Sequence, residues 1–367
     1  MVAIVLVTAG GAFGVYRKLE GNIASLDIFG TLQDRPEVVE VAGPSQPLNI
    51  LLIGSDTRET AEDLAAAGGE DVPGARSDTT ILLHLSADRS RAVAVSIPRD
   101  SWVPIPSCTT ADGEASAPVT TKFNAAFESG GPACTIQTVE SLTNVRIDHF
   151  VVIDFAGFTN MVGALGGVDV CVPEETTDSA SGLDLPAGRS TIDGDQALAF
   201  VRARKGIGDG SDLGRIDRQQ AFLASMVQKA TSTGVLLNPV RLVGFLDAAT
   251  KSVTTDPALS SVSALGSLAN SLKNISTAGI AFVTVPVADR GDGANLLWLP
   301  DQAGPLFDAI RNDTQLPGQT PAPTVDANQP LTVPPAEIEV RVLNGSGQTG
   351  AASRAAQELE AAGFDVV

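Results

Sequence analysis

Basic side chains are scarce in this 367-residue chain: 24 lysines and arginines stand against 43 acidic residues, a formal net charge of −19. Non-specific nucleic-acid binding, whose affinity comes from neutralising phosphates over a basic surface, is excluded, so any cationic site must be local. Histidine and cysteine are scarcer still, with two and three. That leaves no Cys/His cluster at zinc spacing. It also argues against a Ser/His hydrolase, because His84 and His149 both lie in apolar strand contexts where a structural role is expected. No uncharged apolar run reaches the roughly 20 residues a membrane-crossing helix needs. Residues 2–16, "VAIVLVTAGGAFGVY", come nearest and are followed at once by Arg17 and Lys18. This run reads either as a signal-peptide core or as the outer part of a truncated transmembrane anchor over 1–20. No small-x-small cleavage pattern follows it, which favours the anchor, although Arg17 and Lys18 alone argue for the opposite orientation.

What is present is a long hydrophobic and α/β-patterned chain, 43% apolar. Strands are expected at 48–54, 79–86, 92–98, 149–155, 168–173 and 280–287, several as unbroken apolar runs suited to strands covered on both faces. Helices are expected at 122–129, 134–143, 156–165, 193–201, 215–232, 239–250, 259–273 and 300–311. The fold class is therefore α/β, a mixed central sheet between helical layers, over 48–312, after a juxtamembrane segment at 21–47. A Pro-rich linker spans 313–336. Residues 337–367 then read as a strand, a Gly/Ser turn, an Ala-rich helix and the start of another strand, a unit too small to hold a core and hence a truncated α/β domain. Cys108 and Cys134 bracket a Gly/Ser/Ala/Thr-rich excursion. They are read as a disulfide, with two free thiols as the alternative; Cys171, in "VDVCVP", is read as a small buried hydrophobe.

The arginines sit at element edges. Arg58 follows the first strand, Arg76 precedes the second, Arg99 follows the third in "IPRD", Arg202 and Arg204 lie in "FVRAR", and Arg215 opens "RIDRQQ". Side chains at strand ends can converge on a crevice, and several planar guanidinium groups would hold a pyrophosphate. Arg215 and Gln219, four apart on a helix, share a face. Carboxylates among these cations make sense if Asp56 and Asp78 supply oxygens to a Mg²⁺ that also touches phosphate. The alternative is a set of ordinary surface ion pairs.

In order along the chain, "NILLIGSDTR", "RSDTTILLHLS", "VSIPRDSWVPIP", "TKFNAAFESGGP", "IDHFVVIDFAGFTNMVGALGGVDVCVPE", "AGRSTIDGDQALAFVRAR" and "DLGRIDRQQAFL" resemble the successive signatures of the LytR-CpsA-Psr family. The terminal "IEVRVLNGSGQTGAASRAAQELEAAGF" is similar to the LytR C-terminal domain of actinobacterial members. The resemblance implies a single-pass membrane protein with an extracytoplasmic catalytic domain, a Mg²⁺-dependent phosphotransferase. It would move a glycopolymer from a polyprenyl-pyrophosphate carrier onto peptidoglycan. It places Arg76, Arg99, Arg202, Arg204, Arg215 and Gln219 around the pyrophosphate, with Lys122 and Asn124 at further matching positions beside Asp154, and gives Mg²⁺ to Asp56 and Asp78. Arg99, Asp78 and Asp100 are the candidate catalytic residues, one carboxylate taking the acceptor's proton. One departure is that Trp102 and Val103 stand where some members carry another basic residue. "FAGFTNMVGALGGV", "AFLASMVQKA" and "LVGFLDAA" could line an isoprenoid tunnel, though such stripes are more often plain core. Two other readings remain: a lipid-pyrophosphate phosphatase, and a non-enzymatic polyprenyl-lipid-binding regulatory protein of the envelope.

Overall fold

The computed structural model describes residues 2–41, 45–56, 76–110, 112–203, 211–272, 275, 279–318, 334–340, 342 and 351–366. Arg58 and Arg204 lie outside the described residues. The chain divides into two units, 1–317 and 318–367.

In the first unit the order is α1 (Val2–Asn22), β1 (Ala24–Ser25), β2 (Leu48–Ser55), β3 (Ser77–Leu85), β4 (Ala92–Ile97), β5 (Trp102–Ile105) and β6 (Val119–Lys122). Next come α2 (Ala125–Thr143), β7 (His149–Asp154), α3 (Phe155–Ala164), β8 (Val168–Val172), β9 (Thr176–Asp178), β10 (Leu183–Leu185) and β11 (Gly188–Ile192). α4 (Gly194–Arg202), α5 (Asp212–Ala230), α6 (Thr233–Leu236), α7 (Pro239–Lys251), β12 (Val253–Thr255) and α8 (Val262–Leu272) follow. The unit closes with β13 (Ile280–Thr284), β14 (Val287–Asp289), β15 (Leu296–Trp298) and α9 (Pro300–Arg311). Among the described residues, no helix is long and apolar enough to cross a membrane.

Seven strands form one mixed sheet in the order β1-β12-β7-β2-β3-β4-β13. β2 runs parallel to β7 and antiparallel to β3, and β4 runs parallel to β13. The apolar runs become its centre because both faces are covered: all six residues of β4 are buried. One face carries Leu51, Ile53, Leu82 and Val95 against Ile136 and Val139 of α2 and Leu306, Phe307 and Ile310 of α9. The opposite face packs Ile50 and Leu85 against Leu268 and Leu272 of α8. A satellite core joins α3, α4 and α5 to the β8–β11 ribbon.

Local chemistry sets the helix starts that matter for the site. Asp154 Oδ1 accepts from Gly157 N at 2.6 Å, and Ser211 Oγ accepts from Gly214 N at 3.0 Å, so both cap a helix N-terminus. Position 157 must be glycine, since a Cβ there would fall 2.9 Å from that Asp154 oxygen and 2.7 Å from Ser252 Cβ. α2 is broken at Gly130 and Gly131, which accounts for two expected helices where one merged element stands.

Cys108 and Cys134 form a disulfide with Cα atoms 5.3 Å apart; closing a loop of this length stabilises by about 3 kcal/mol. Cys171, expected to be buried, is exposed. β8 is not a sheet strand but one half of an antiparallel ribbon with β11, and its alternation turns Cys171 outward while Val170 and Val172 face the core. Residues 313–317 belong to the first unit rather than to a linker: Leu316 joins the core, and Asp313 accepts Ala87 N. In the second unit, β16 (Glu339–Val340) pairs in parallel with β17 (Asp365–Val366) around α10 (Ala351–Ala361).

Candidate active site at the ends of the sheet

β2, β4 and β7 end side by side, and β3 begins at the same edge because it is antiparallel to its neighbours. Pro98 follows the last residue of β4 and ends its ladder, so Arg99 leaves the sheet at that edge. Its guanidinium pairs with Asp78 of β3, lies 3.6 Å from Asp100, and is 3.9 Å from Asp212 at the start of α5. Arg215, one turn into α5, pairs with Asp212 and is 4% exposed. Lys122 Nζ, at the end of β6, donates to Asp100 Oδ1 at 2.7 Å.

Burial alone would lower the Arg99 pKa, but Asp78, Asp100 and Asp212 outweigh it and hold the pKa above its ordinary value. Burial raises the Asp212 carboxyl and lowers Arg215, in each case against the pull of the other. The cluster is thus a set of cations held by internal carboxylates, which an incoming anion must displace or share.

Two polar cavities meet at Arg99. The first, about 240 Å³, is lined by Asp78, Thr79, Arg99, Phe155, Val201, Arg202, Arg215 and Gln219. Four of the sequence-predicted anion ligands, Arg99, Arg202, Arg215 and Gln219, therefore share one chamber with Asp78. This chamber runs into an apolar cavity of about 160 Å³ between the sheet and α3, α4 and α5, lined by Ile53, Ile81, Phe158, Met161, Phe222, Leu223 and Met226 among others. The two share Asp78, Thr79, Phe155, Val201 and Gln219. Arg202 also lies 4.8 Å over the Phe155 ring, which places a cation at the polar mouth of an apolar slot.

The second polar cavity, about 430 Å³, lies across Arg99 and is lined by Asp100, Lys122, Ser211 and Asp212 together with Asp289 and 293–296. Its outer wall, the β14–β15 hairpin, is fastened to the "PRDSW" segment. Leu296 N donates to Asp100 O at 3.0 Å, Trp298 Nε1 donates to Ser101 Oγ at 3.0 Å, and Arg290 lies 4.2 Å over the Trp102 ring.

Several predicted residues stand elsewhere. Arg76 is half exposed, with Nε donating to Glu128 Oε2 at 3.3 Å, and lines neither polar cavity. Asn124 contributes its backbone, donating to Arg99 O at 3.2 Å. Asp154 caps α3 and lines the apolar cavity. Asp56 accepts the backbone N–H of Arg76. Ser55 pairs with Ser77, so the Asp56 and Asp78 carboxylates leave the same sheet edge. Among the described residues, no three His, Cys, Asp or Glu side chains converge as a metal cage. Mg²⁺ commonly takes only one or two carboxylates and completes its sphere with water and phosphate, so these hard oxygen donors fit it.

Sequence reasoning missed Asp212, Asp289 and Asn295. Asp212 carried a signal, a carboxylate three residues before Arg215, but one indistinguishable from a surface helix pair.

The sequence profile of the LytR-CpsA-Psr family matches residues 16–306. The chain belongs to that family. Residues 337–367 match a second profile, the LytR cell envelope-related transcriptional attenuator. The cell wall biosynthesis protein LcpA of Corynebacterium glutamicum is 31% identical over 346 residues, covering 87% of this chain and 65% of LcpA. The polyisoprenyl-teichoic acid–peptidoglycan teichoic acid transferase TagT of Bacillus subtilis is 32% identical over 237 residues, 62% of this chain and 67% of that protein. Among solved structures, the LytR-Csp2A-Psr enzyme from Actinomyces oris superposes with a TM-score of 0.59 at 22% identity, covering 79% of this chain and 96% of that one. The LytR-CpsA-Psr fold is therefore present, in a chain spanning just under two thirds of the length of LcpA.

Proposed function

We propose that this LytR-CpsA-Psr protein is a phosphotransferase that moves a glycopolymer from a polyprenyl-pyrophosphate carrier onto peptidoglycan, outside the cytoplasm and at the membrane. The observation that carries this reading is the union of two chambers: a cationic one holding Arg99, Arg202 and Arg215, opening into an apolar one walled by Phe158, Phe222 and Met226. That amphiphilic shape suits a pyrophosphate bearing an isoprenoid tail. The names of relatives in cell wall biosynthesis and teichoic acid transfer support it.

In this reading the guanidinium groups bind the pyrophosphate, and Gln219 marks where the headgroup gives way to the tail. The acceptor glycan enters the 430 Å³ cavity, on the far side of Arg99 from the lipid. A muramic-acid hydroxyl oxygen attacks the sugar-linked phosphorus and forms a new P–O bond. The bond from that phosphorus to the bridging oxygen breaks, and polyprenyl phosphate leaves with the electron pair. Asp100 lines the acceptor side and takes the hydroxyl proton; Asp78, on the lipid side, holds Arg99 in position. Arg99 touches both chambers and stabilises charge that develops between them. Asp56 and Asp78 would hold Mg²⁺, which would neutralise pyrophosphate charge.

The test is incubation of the purified protein with Mg²⁺, a lipid-pyrophosphate-linked oligosaccharide and peptidoglycan fragments. Joined glycan and free polyprenyl phosphate are expected in equal amounts. Polyprenyl phosphate without joined glycan would assign the site to hydrolysis, and tight binding of the donor with neither product would make the protein a lipid binder.

A further inference from the structure

The third stretch expected to line the lipid slot, in α7, does not line it. Phe245 packs inward on the satellite core, but Val240, Val243 and Leu246 are exposed. Large exposed apolar side chains in fact concentrate here: Val227 near the end of α5, Leu236 and Leu237 at α6, and these three on α7. Leu237 is 79% exposed and Val240 82%. Isolated exposed apolar residues need no explanation, whereas six within 20 residues, on three consecutive helices that pack on one another, gather apolar surface that does.

Three observations indicate what covers it. The last turn of α1 is bolted to α7: Lys18 Nζ lies 2.9 Å from Asp247 Oδ1, and Asn22 Nδ2 donates to Asp247 Oδ1 at 2.9 Å and to Thr250 Oγ1 at 3.0 Å. The uncharged run 2–16 is thereby tethered beside the patch, and Phe13 and Tyr16 of α1 are themselves exposed. In a chain of net charge −19, Lys229 and the exposed Arg241 fall within the same 20 residues, where they would meet anionic headgroups. Finally, α5 joins the patch to the reaction chamber. Arg215 and Gln219 face the anion cavity, Phe222 and Met226 the apolar slot, and Val227 the surface. The run from Arg215 to Val227 spans about 18 Å of helix.

We propose that the α6–α7 face rests on the lipid bilayer, with Leu236, Leu237 and Val240 dipping among the acyl chains of an anionic membrane, so that the apolar slot opens toward the bilayer. The slot's orientation rests on the proposed lipid-linked donor; the docking of the face does not.

The test uses the full chain in phosphatidylglycerol/phosphatidylcholine vesicles, in a Cys171→Ser background so that one introduced cysteine carries an environment-sensitive fluorophore. With brominated lipids, a label at Val240→Cys should be quenched at least twofold more than one at Val119→Cys on β6. Quenching confined to a label at Phe13→Cys would show that α1 alone enters the bilayer and would overturn the proposal. So would a label at 240 that is shielded without lipid quenching, since a second copy or the C-terminal unit would then cover the face. As a second arm, Leu237→Glu/Val240→Glu should lose about tenfold in turnover of a long-chain donor embedded in vesicles and keep that of a short-chain soluble donor. Equal loss on both donors would overturn the docking. If the unmodified protein turns over neither donor, the transferase reading fails, and quenching alone decides the membrane face.

Discussion

Both ends of the central sheet are charged, and they differ in how completely their polar atoms are met. At the end where β2 and β7 begin, Arg35 Nη2 donates to Glu140 Oε1 and to Ile147 O, each at 2.6 Å, while Ile147 N donates to Glu140 at 2.9 Å. The His84 ring lies 2.8 Å from Asn49 Oδ1 and 3.2 Å from Asp313 Oδ1, and Asp313 also accepts from Arg91 at 3.0 Å. At the other end, Arg99 Nε, Arg215 Nε, Ser77 Oγ, Thr80 Oγ1 and Asn295 Oδ1 are buried without a hydrogen bond, while Asp212 Oδ1 is met by the Arg215 ion pair. A buried network in which the atoms are paired needs no further partner; one with atoms left over has donors and acceptors that water, an ion or a ligand can meet. The pairing of the first end gives His84 and the buried Arg35–Glu140 pair a structural role.

The sharpest way to break that contrast is Arg99→Ala. Removing a preorganised charge from a dry site typically lowers turnover by about 10²–10³. That fall is expected in polyprenyl-phosphate release, with near-UV circular dichroism retained. A loss below tenfold would show that the incomplete end is no more functional than the complete one. The mirror experiment is Glu140→Gln, which leaves Arg35 buried beside a neutral partner. Breaking a buried pair on one side costs about 3 kcal/mol, so the denaturation midpoint should drop while turnover per folded molecule stays within twofold.

The contrast also explains what was legible in the sequence. The six expected strands all form, because apolar runs such as "AVAVSI" report burial directly. Hairpins were not foreseen: β5 contains Pro104, and β14 and β15 flank the turn-rich "RGDGAN", so neither shows a clean alternation. The run 280–287 splits at Pro286 into β13 and β14, and β14 supplies Asp289 to the wall of the 430 Å³ cavity. Arginines at strand ends were readable as a set because strand ends share an edge. Their counter-ions are less so: Asp78 reads as a metal ligand or a base and Asp100 as a base or an orienter of an arginine, and the structure pairs both with Arg99. Arg76, expected at the pyrophosphate, instead half exposes its side chain beside Glu128. The exposure of α7 was illegible for a different reason. An amphipathic stripe has the same pattern whether the apolar face meets core, tunnel or membrane.

The smallest expected effect lies at the complete end and tests whether its pairing is structural. His149 Nδ1 lies 3.2 Å from both oxygens of Asp256. That hydrogen bond, working against burial, raises the His149 pKa above its ordinary value. Burial opposes ionisation of Asp256 too, but the histidine outweighs it and lowers the carboxyl. A histidine raised on folding stabilises fully below its unfolded pKa of about 6.5 and loses that contribution as pH rises through the folded value. A carboxylate lowered on folding contributes above its unfolded pKa of about 3.9 and loses that as pH falls. The pair should therefore stabilise most between roughly pH 4 and 6.5. His149→Gln should lower the melting temperature in that window and converge on the unmodified protein toward pH 8. A gap that stays constant across the range would make His149 a packing residue rather than a charged partner, and turnover per folded molecule should be unaffected in either case, because this pair stands at the end of the sheet away from the proposed site.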